Sequence, residues 1–128
     1  MVKVQDTWVS GTQVLCTFVK KAINCYNISK ENYMVRVIAS NYIKSEHIAA
    51  AEPLFRQMLE ATRKEKGCIE YRLHVKEDEP GFYVFVEEWE SMEDLKRHFE
   101  TEHFKRIIPQ LGGYKSKDSA IWVMEEFV

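Results

Sequence analysis

Two neighbouring runs of alternating side chains, Ile69 to Val75 and Phe82 to Trp89, restrict the possible folds of this chain more than any other feature. Successive side chains of an extended strand point to opposite faces, so a period of two marks a strand with one face in a core. The first run sets Ile69, Tyr71, Leu73 and Val75 against Glu70, Arg72 and His74. The second sets Tyr83, Phe85, Glu87 and Trp89 against Phe82, Val84, Val86 and Glu88. It is apolar on both faces, as a strand covered on both sides should be. Between them Lys76–Gly81 carries the turn pair Pro80-Gly81 and suits a hairpin loop longer than two residues. Directly after the second run, Ser91 with Asp94 three residues on resembles a capping box and opens a helix.

The flanking segments extend this unit. Val35 to Ile43 alternates and reads as a strand, followed by Ser45 as a helix-capping residue. Ile48, Ala51, Leu54, Phe55, Met58, Leu59 and Thr62 recur at helical steps, predicting a helix from about Glu46 to Lys66. Pro53 should kink that helix or mark its true start, and Gly67 ends it. The helix opened by Ser91 runs to about Glu100 and restarts after Thr101. It continues from His103 toward Ile108, and Pro109 with Gly112-Gly113 ends it. A charged loop, Lys115 to Asp118, leads to a last strand, Ala120 to Phe127, whose Glu125 and Glu126 suit an exposed edge or subunit boundary.

The resulting order, β-α-β-β-α-β, predicts an α+β fold of the ferredoxin-like split βαβ type, with a four-stranded antiparallel sheet and two helices on one face. The second face carries Ile38, Phe82 or Phe85, mixed with Arg72 and His74. Such a half-apolar face is poorly stable in water alone, so two sheets are expected to meet in a homodimer.

Residues 1–33 follow no such pattern. VQDTWVSGTQ has no sustained period, VLCTFVKKAINCY reads as a single helix, and NISKENY reads as a linker. The domain is therefore expected at 34–128, with 1–33 an N-terminal extension or a helix packed on the domain edge. A length of 128 residues supports one core. The net charge of -2, with basic and acidic residues interleaved, argues against a nucleic-acid partner. No apolar run approaches the roughly 20 residues of a membrane helix, and none has the form of a secretory signal. Cys16, Cys25 and Cys68 are odd in number and have no metal-like spacing, which suits free thiols in the cytoplasm.

Several residues have the chemistry of a site. Asn41 falls in line with Val35, Val37 and Ala39, so its amide either ties the strand to a neighbour or points into a pocket. Trp89, beside Glu87, is a core aromatic, a flat wall for a ligand, or both. Tyr71 lies on the Leu73 face, in the core or as a hydrogen-bond donor to a ligand. His98 and His103 are the side chains best suited to take a phenolic proton near neutral pH. They are five apart across a helix break, without a cysteine or third histidine nearby, so no metal site is expected. His47 and His74 read as surface residues, and Cys68 as a small buried hydrophobe. The chain has no dinucleotide or P-loop fingerprint, and no cofactor is expected.

From Met34 onward the sequence resembles the antibiotic biosynthesis monooxygenase (ABM) family. The resemblance is carried by VRVIASNYIK, EATRKEKGCIEY, YVFVEEWES and the spaced HF pairs of LKRHFETEHFK, in that order. It implies a dimeric α/β barrel of ferredoxin-like subunits, each with a pocket between sheet and helices. The family includes cofactor-independent oxygenases of phenolic, quinol or polyketide-derived compounds, haem-degrading enzymes and isomerases. By this resemblance the chain is a cofactor-independent monooxygenase acting with dioxygen on a small aromatic or quinol-like substrate. His98 or His103 is then the base, Asn41 and Tyr71 position oxygen atoms, and Trp89 with Glu87 lines the substrate site. Haem-degrading members have a Trp where this chain has His98, and their iron-ligating position falls near Ile108, so haem is set aside. An isomerase or lyase of a small carbonyl compound, or a non-catalytic dimeric ligand-binding or stress-response module, are the alternatives.

Overall fold

Five strands pair antiparallel in one sheet in the computed structural model, which describes residues 2–6 and 33–127. They are β1 (Val2–Asp6), β2 (Val35–Ile43), β3 (Cys68–Val75), β4 (Phe82–Trp89) and β5 (Lys115–Met124), in the order β1-β5-β2-β4-β3. The helices are α1 (Ile48–Thr62), α2 (Met92–Phe99) and α3 (Glu102–Gly112). Strands β2 to β5 with these helices form the expected ferredoxin-like split, with β2 and β4 at its centre.

The helices cover one face. Phe55 and Met58 of α1, Leu95 and Phe99 of α2, and Ile107 and Leu111 of α3 are buried against Val35, Val37, Tyr71, Tyr83, Phe85 and Trp89. Sheet register settles the ambiguity over the two phenylalanines. Phe85 pairs with Ala39 and packs on Phe55, so it faces the helices. Phe82 pairs with Tyr42 and stacks on it at 4.5 Å on the other face.

Some boundaries differ from the sequence reading. Ser45 opens a single 3-10 turn without a side-chain cap bond, and α1 begins only at Ile48. It ends at Thr62, and 63–67 form turns rather than further helix. Pro109 does not end α3; it lies inside it, where its missing N–H leaves one helical acceptor without its usual donor, and Gly113 closes the helix. Lys115 to Asp118 are not a loop. They belong to β5, Lys117 pairing with Tyr42 and Lys115 with Ile43. Val2–Asp6 adds a fifth strand along β5, Val2 against Val123 through Asp6 against Ser119, so β5 is not an edge. The helix expected within VLCTFVKKAINCY lies outside the described residues.

Both caps of the second helical segment form. Ser91 Oγ accepts from the Asp94 N–H at 3.1 Å, and Thr101 Oγ1 accepts from the Phe104 N–H at 3.4 Å. Thr101 also donates to the His98 carbonyl at 2.7 Å. The break at Glu100–Thr101 thereby places His98 at the end of one helix and His103 at the start of the next. Gly67 lets the start of α2 pack closely on the turn before β3. It has φ +83°, and its bare Cα leaves the space that the Asp94 side chain occupies.

Candidate functional site

Between the sheet and helices α2 and α3 lies a cavity of about 40 Å³. Its walls are mostly apolar, with Val37, Ala39, Phe85 and Ile121 from the strands and Phe99, Phe104 and Ile108 from the helices. Asn41, Tyr71 and Glu87 also line it, from three different strands. Trp89, His98 and His103 do not. They stand one layer back, so the six residues singled out from sequence divide between the cavity and a polar cluster behind it.

Asn41 is 7% exposed. Its Oδ1 accepts from Ser119 Oγ at 3.4 Å, while Nδ2 has a long 3.5 Å contact with the Ala39 carbonyl of its own strand. Ser119 is brought there by a bulge. Ser40 pairs with Ala120 but Tyr42 with Lys117, so one residue of β2 opposes two of β5. A bulge re-aims a side chain in this way, and here the Ser119 hydroxyl turns into the cavity wall. The Lys115 ammonium donates to that hydroxyl. Sequence reading missed Ser119 because its run, KSKDS, looks like a polar loop.

Glu87, 5% exposed, is the buried carboxylate of the cavity. Its Oε2 accepts the Trp89 indole N–H at 3.0 Å, which holds the carboxylate and occupies the tryptophan's donor. Burial raises the proton affinity of Glu87, opposed in part by His98 and by the indole bond. Tyr71 is likewise pushed well above the usual phenol range, first by burial and then by the charge of Glu87. It is a neutral donor at ordinary pH, and the nearby Thr62 side chain opposes the upward shift only in part.

The polar cluster centres on a residue that the sequence did not suggest. Glu65, in the turn after α1, places Oε1 at 2.8 Å from His98 Nδ1 and 2.6 Å from His103 Nε2. One oxygen accepting from both rings puts a proton on each of these nitrogens. Thr62 Oγ1 and Thr101 Oγ1 each lie 3.3 Å from His103 Nε2. Thr62 thus lies between Tyr71 at the cavity and the His103–Glu65 pair. His98 is 1% exposed and boxed by aromatic rings, with centroids at 4.8 Å to Trp89, 5.0 Å to Phe104 and 5.5 Å to Tyr71.

The Cys68 thiol is pushed up to about 11 by burial and by Glu65 and Glu87, which keeps it protonated and a poor nucleophile. His74 is exposed and His47 stacks on Tyr114 at 4.8 Å; both lie away from the cavity.

The sequence profile of the antibiotic biosynthesis monooxygenase family matches residues 34–110. The chain belongs to this family. Among solved structures, a crystal structure of an antibiotic biosynthesis monooxygenase is 37% identical, with a TM-score of 0.72 over 73% of this chain and 99% of that one. A conserved protein from Methanosarcina mazei Go1 is 31% identical, with a TM-score of 0.71 over 73% of this chain and 93% of that one. An uncharacterized protein of Synechocystis sp. is 31% identical over 78 residues, 61% of this chain and 50% of its own length. The match thus spans about half of that curated relative. Asn41, Glu65, Tyr71, Glu87, Trp89, His98 and His103 all fall inside the ABM match, whereas Lys115 and Ser119 lie beyond it. Among the described residues, no helix is long and apolar enough to cross a membrane.

Proposed function

We propose that this ABM protein is a cofactor-independent monooxygenase, acting as a homodimer on a small aromatic or quinol-like compound. The observation that carries the reading is the convergence of the buried polar side chains Asn41, Tyr71 and Glu87, with Ser119, on one mostly apolar cavity. At about 40 Å³ the cavity holds roughly one molecule the size of water or dioxygen. An aromatic ring enters by displacing Phe104 and Ile108, the half-buried side chains of α3 in its wall.

The chemistry follows from the groups in place. A carboxylate in water is too weak a base for an acidic C–H or phenol, but burial strengthens Glu87, and Glu87 rather than an imidazole meets the substrate. The Asn41 amide and the Tyr71 hydroxyl stabilise the resulting anion. That anion passes one electron to dioxygen, and the carbon radical and superoxide combine into a peroxide anion. Tyr71 gives it a proton, replaced through Thr62, His103 and Glu65. Loss of the remaining C–H proton and of hydroxide leaves a carbonyl and water. A methylene and dioxygen thus become a carbonyl and water, the carbon losing four electrons and dioxygen gaining four.

The test is oxygen uptake with quinols and anthrone-type compounds, for the natural protein beside Glu87→Gln and Tyr71→Phe. The expected result is uptake above the uncatalysed rate, reduced in both variants by about 10²–10⁴-fold for Glu87. Ligand binding without uptake would make this a non-catalytic binding module.

A further inference from the structure

We propose that Glu65, His98 and His103 form a binding site for a divalent first-row transition cation. The three come from the turn after α1, the end of α2 and the first turn of α3, and their ligand atoms lie within 4.8 Å of one another. Two imidazoles and one carboxylate are a donor set suited to Zn²⁺, Co²⁺ or Fe²⁺ rather than to Mg²⁺ or Ca²⁺.

Metal–ligand bonds of about 2.1 Å allow ligand atoms at most about 4.2 Å apart across an ion. The longest separation therefore has to close by roughly half an ångström, while Glu65 Oε1, now 2.6 and 2.8 Å from the two nitrogens, has to back away. Rotation about the glutamate side-chain bonds supplies the retreat of Oε1, and a shift of the partly exposed His103 ring brings the two nitrogens together. The two nitrogens facing Glu65 give up their protons to the other nitrogen of each ring or to solvent. Thr62 and Thr101, whose hydroxyls lie 3.3 Å from His103 Nε2, offer neutral oxygens to a further coordination position or to a metal-bound water.

The surroundings hold the ligands in place. His98 is fixed by the Trp89 and Phe104 rings, and Thr101 ties its carbonyl to the start of α3. Glu65 and His103 keep side-chain exposures of 12% and 15%, which leaves an entry from solvent. Occupancy removes His103 from the proton route described above, so the ion would act as a brake on it. Binding itself does not depend on that reading.

The experiment titrates the full metal-stripped chain with Co²⁺ and Zn²⁺, following the visible Co²⁺ bands and the heat of binding. One ion per chain is expected, with visible bands and no intense near-ultraviolet thiolate band, which separates this site from the cysteines. Glu65→Gln and His103→Gln, both at partly exposed positions, should each weaken binding more than about tenfold, and His74→Gln on the exposed strand should not. Absence of stoichiometric binding by the natural chain, or equal affinity in all three variants, would overturn the proposal.

Discussion

The Glu65 carboxylate and the His103 imidazole meet at 2.6 Å although 38 residues separate them in the chain. The same oxygen holds His98 at 2.8 Å, so one side chain in the turn after α1 anchors both helices of the second helical segment. Glu65→Ala strips the acceptor from two N–H groups; His103 keeps the Thr62 and Thr101 hydroxyls at 3.3 Å, but the buried His98 N–H then bears an unmet desolvation cost of about 1–3 kcal/mol. Glu65→Gln keeps a carbonyl oxygen there and should lose less than half as much. Urea unfolding curves read at the midpoint separate the two variants, and equal losses would argue against a hydrogen-bonding role.

Glu87 gives a pH signature of its own. Its folded proton affinity is raised above the usual 4.5 by burial, so between 4.5 and the folded value the native state holds a proton that the unfolded chain has released. Stability contributed by this group therefore falls as pH rises through that window, and stays lower above it. Glu87→Gln accepts the Trp89 N–H without ever ionising. It should be more stable than the natural protein at pH 7, with the difference shrinking to nothing below about pH 4, under the unfolded value. Thermal unfolding at a series of pH values measures this, and a variant less stable at pH 7 would contradict it.

Gly67 is the position where a single added carbon should do most harm. Its φ of +83° disfavours any side chain, and a Cβ would overlap the Asp94 carboxylate. That carboxylate accepts from Ser91 Oγ at 2.8 Å and from Arg97 at 2.6 Å, so moving it loosens the start of α2. Gly67→Ala should cost at least about 1–3 kcal/mol of stability by chemical denaturation, with circular dichroism unchanged at low denaturant.

The parts of this fold legible in sequence are those set by periodicity and caps. The β3–β4 hairpin, the α1 stripe and the Ser91 and Thr101 starts each depend on residues within a few positions of one another. Glu65 was invisible for the opposite reason. It sits among charged residues after α1, and its partners are 33 and 38 residues away, so no spacing rule joins them. The start of β5 was hidden because Ser116, Lys117 and Asp118 are exposed, so the strand there has no core-facing alternation. Asn41, Tyr71 and Glu87 were recognisable as polar groups on core faces. That the cavity gathers them while His98 and His103 stand behind follows from how α2 and α3 cross the sheet, which local pattern does not encode.

The sheet face away from the helices is the basis for the proposed homodimer, and it yields the remaining prediction. Val84 pairs with Ser40 and His74, and Val86 with Ile38, which in turn pairs with Trp122; Ile38, Val84, Val86 and Trp122 are half-exposed and lie on the face away from the helices. The Tyr42–Phe82 stack extends the apolar strip, and Arg36 bonded to Glu88 at 2.6 Å borders it. An apolar middle with a charged rim is the usual anatomy of an interface. In a two-fold dimer the same patch meets itself, so one substitution acts twice. Val84→Arg would place two unpaired guanidinium groups in the covered centre, at a cost of several kcal/mol, while the helix-side core is untouched. Sedimentation should show a dimer for the natural chain and a folded monomer for Val84→Arg at the same concentration. A natural chain that sediments as a monomer would remove the dimer from the proposal and leave this face in need of another partner.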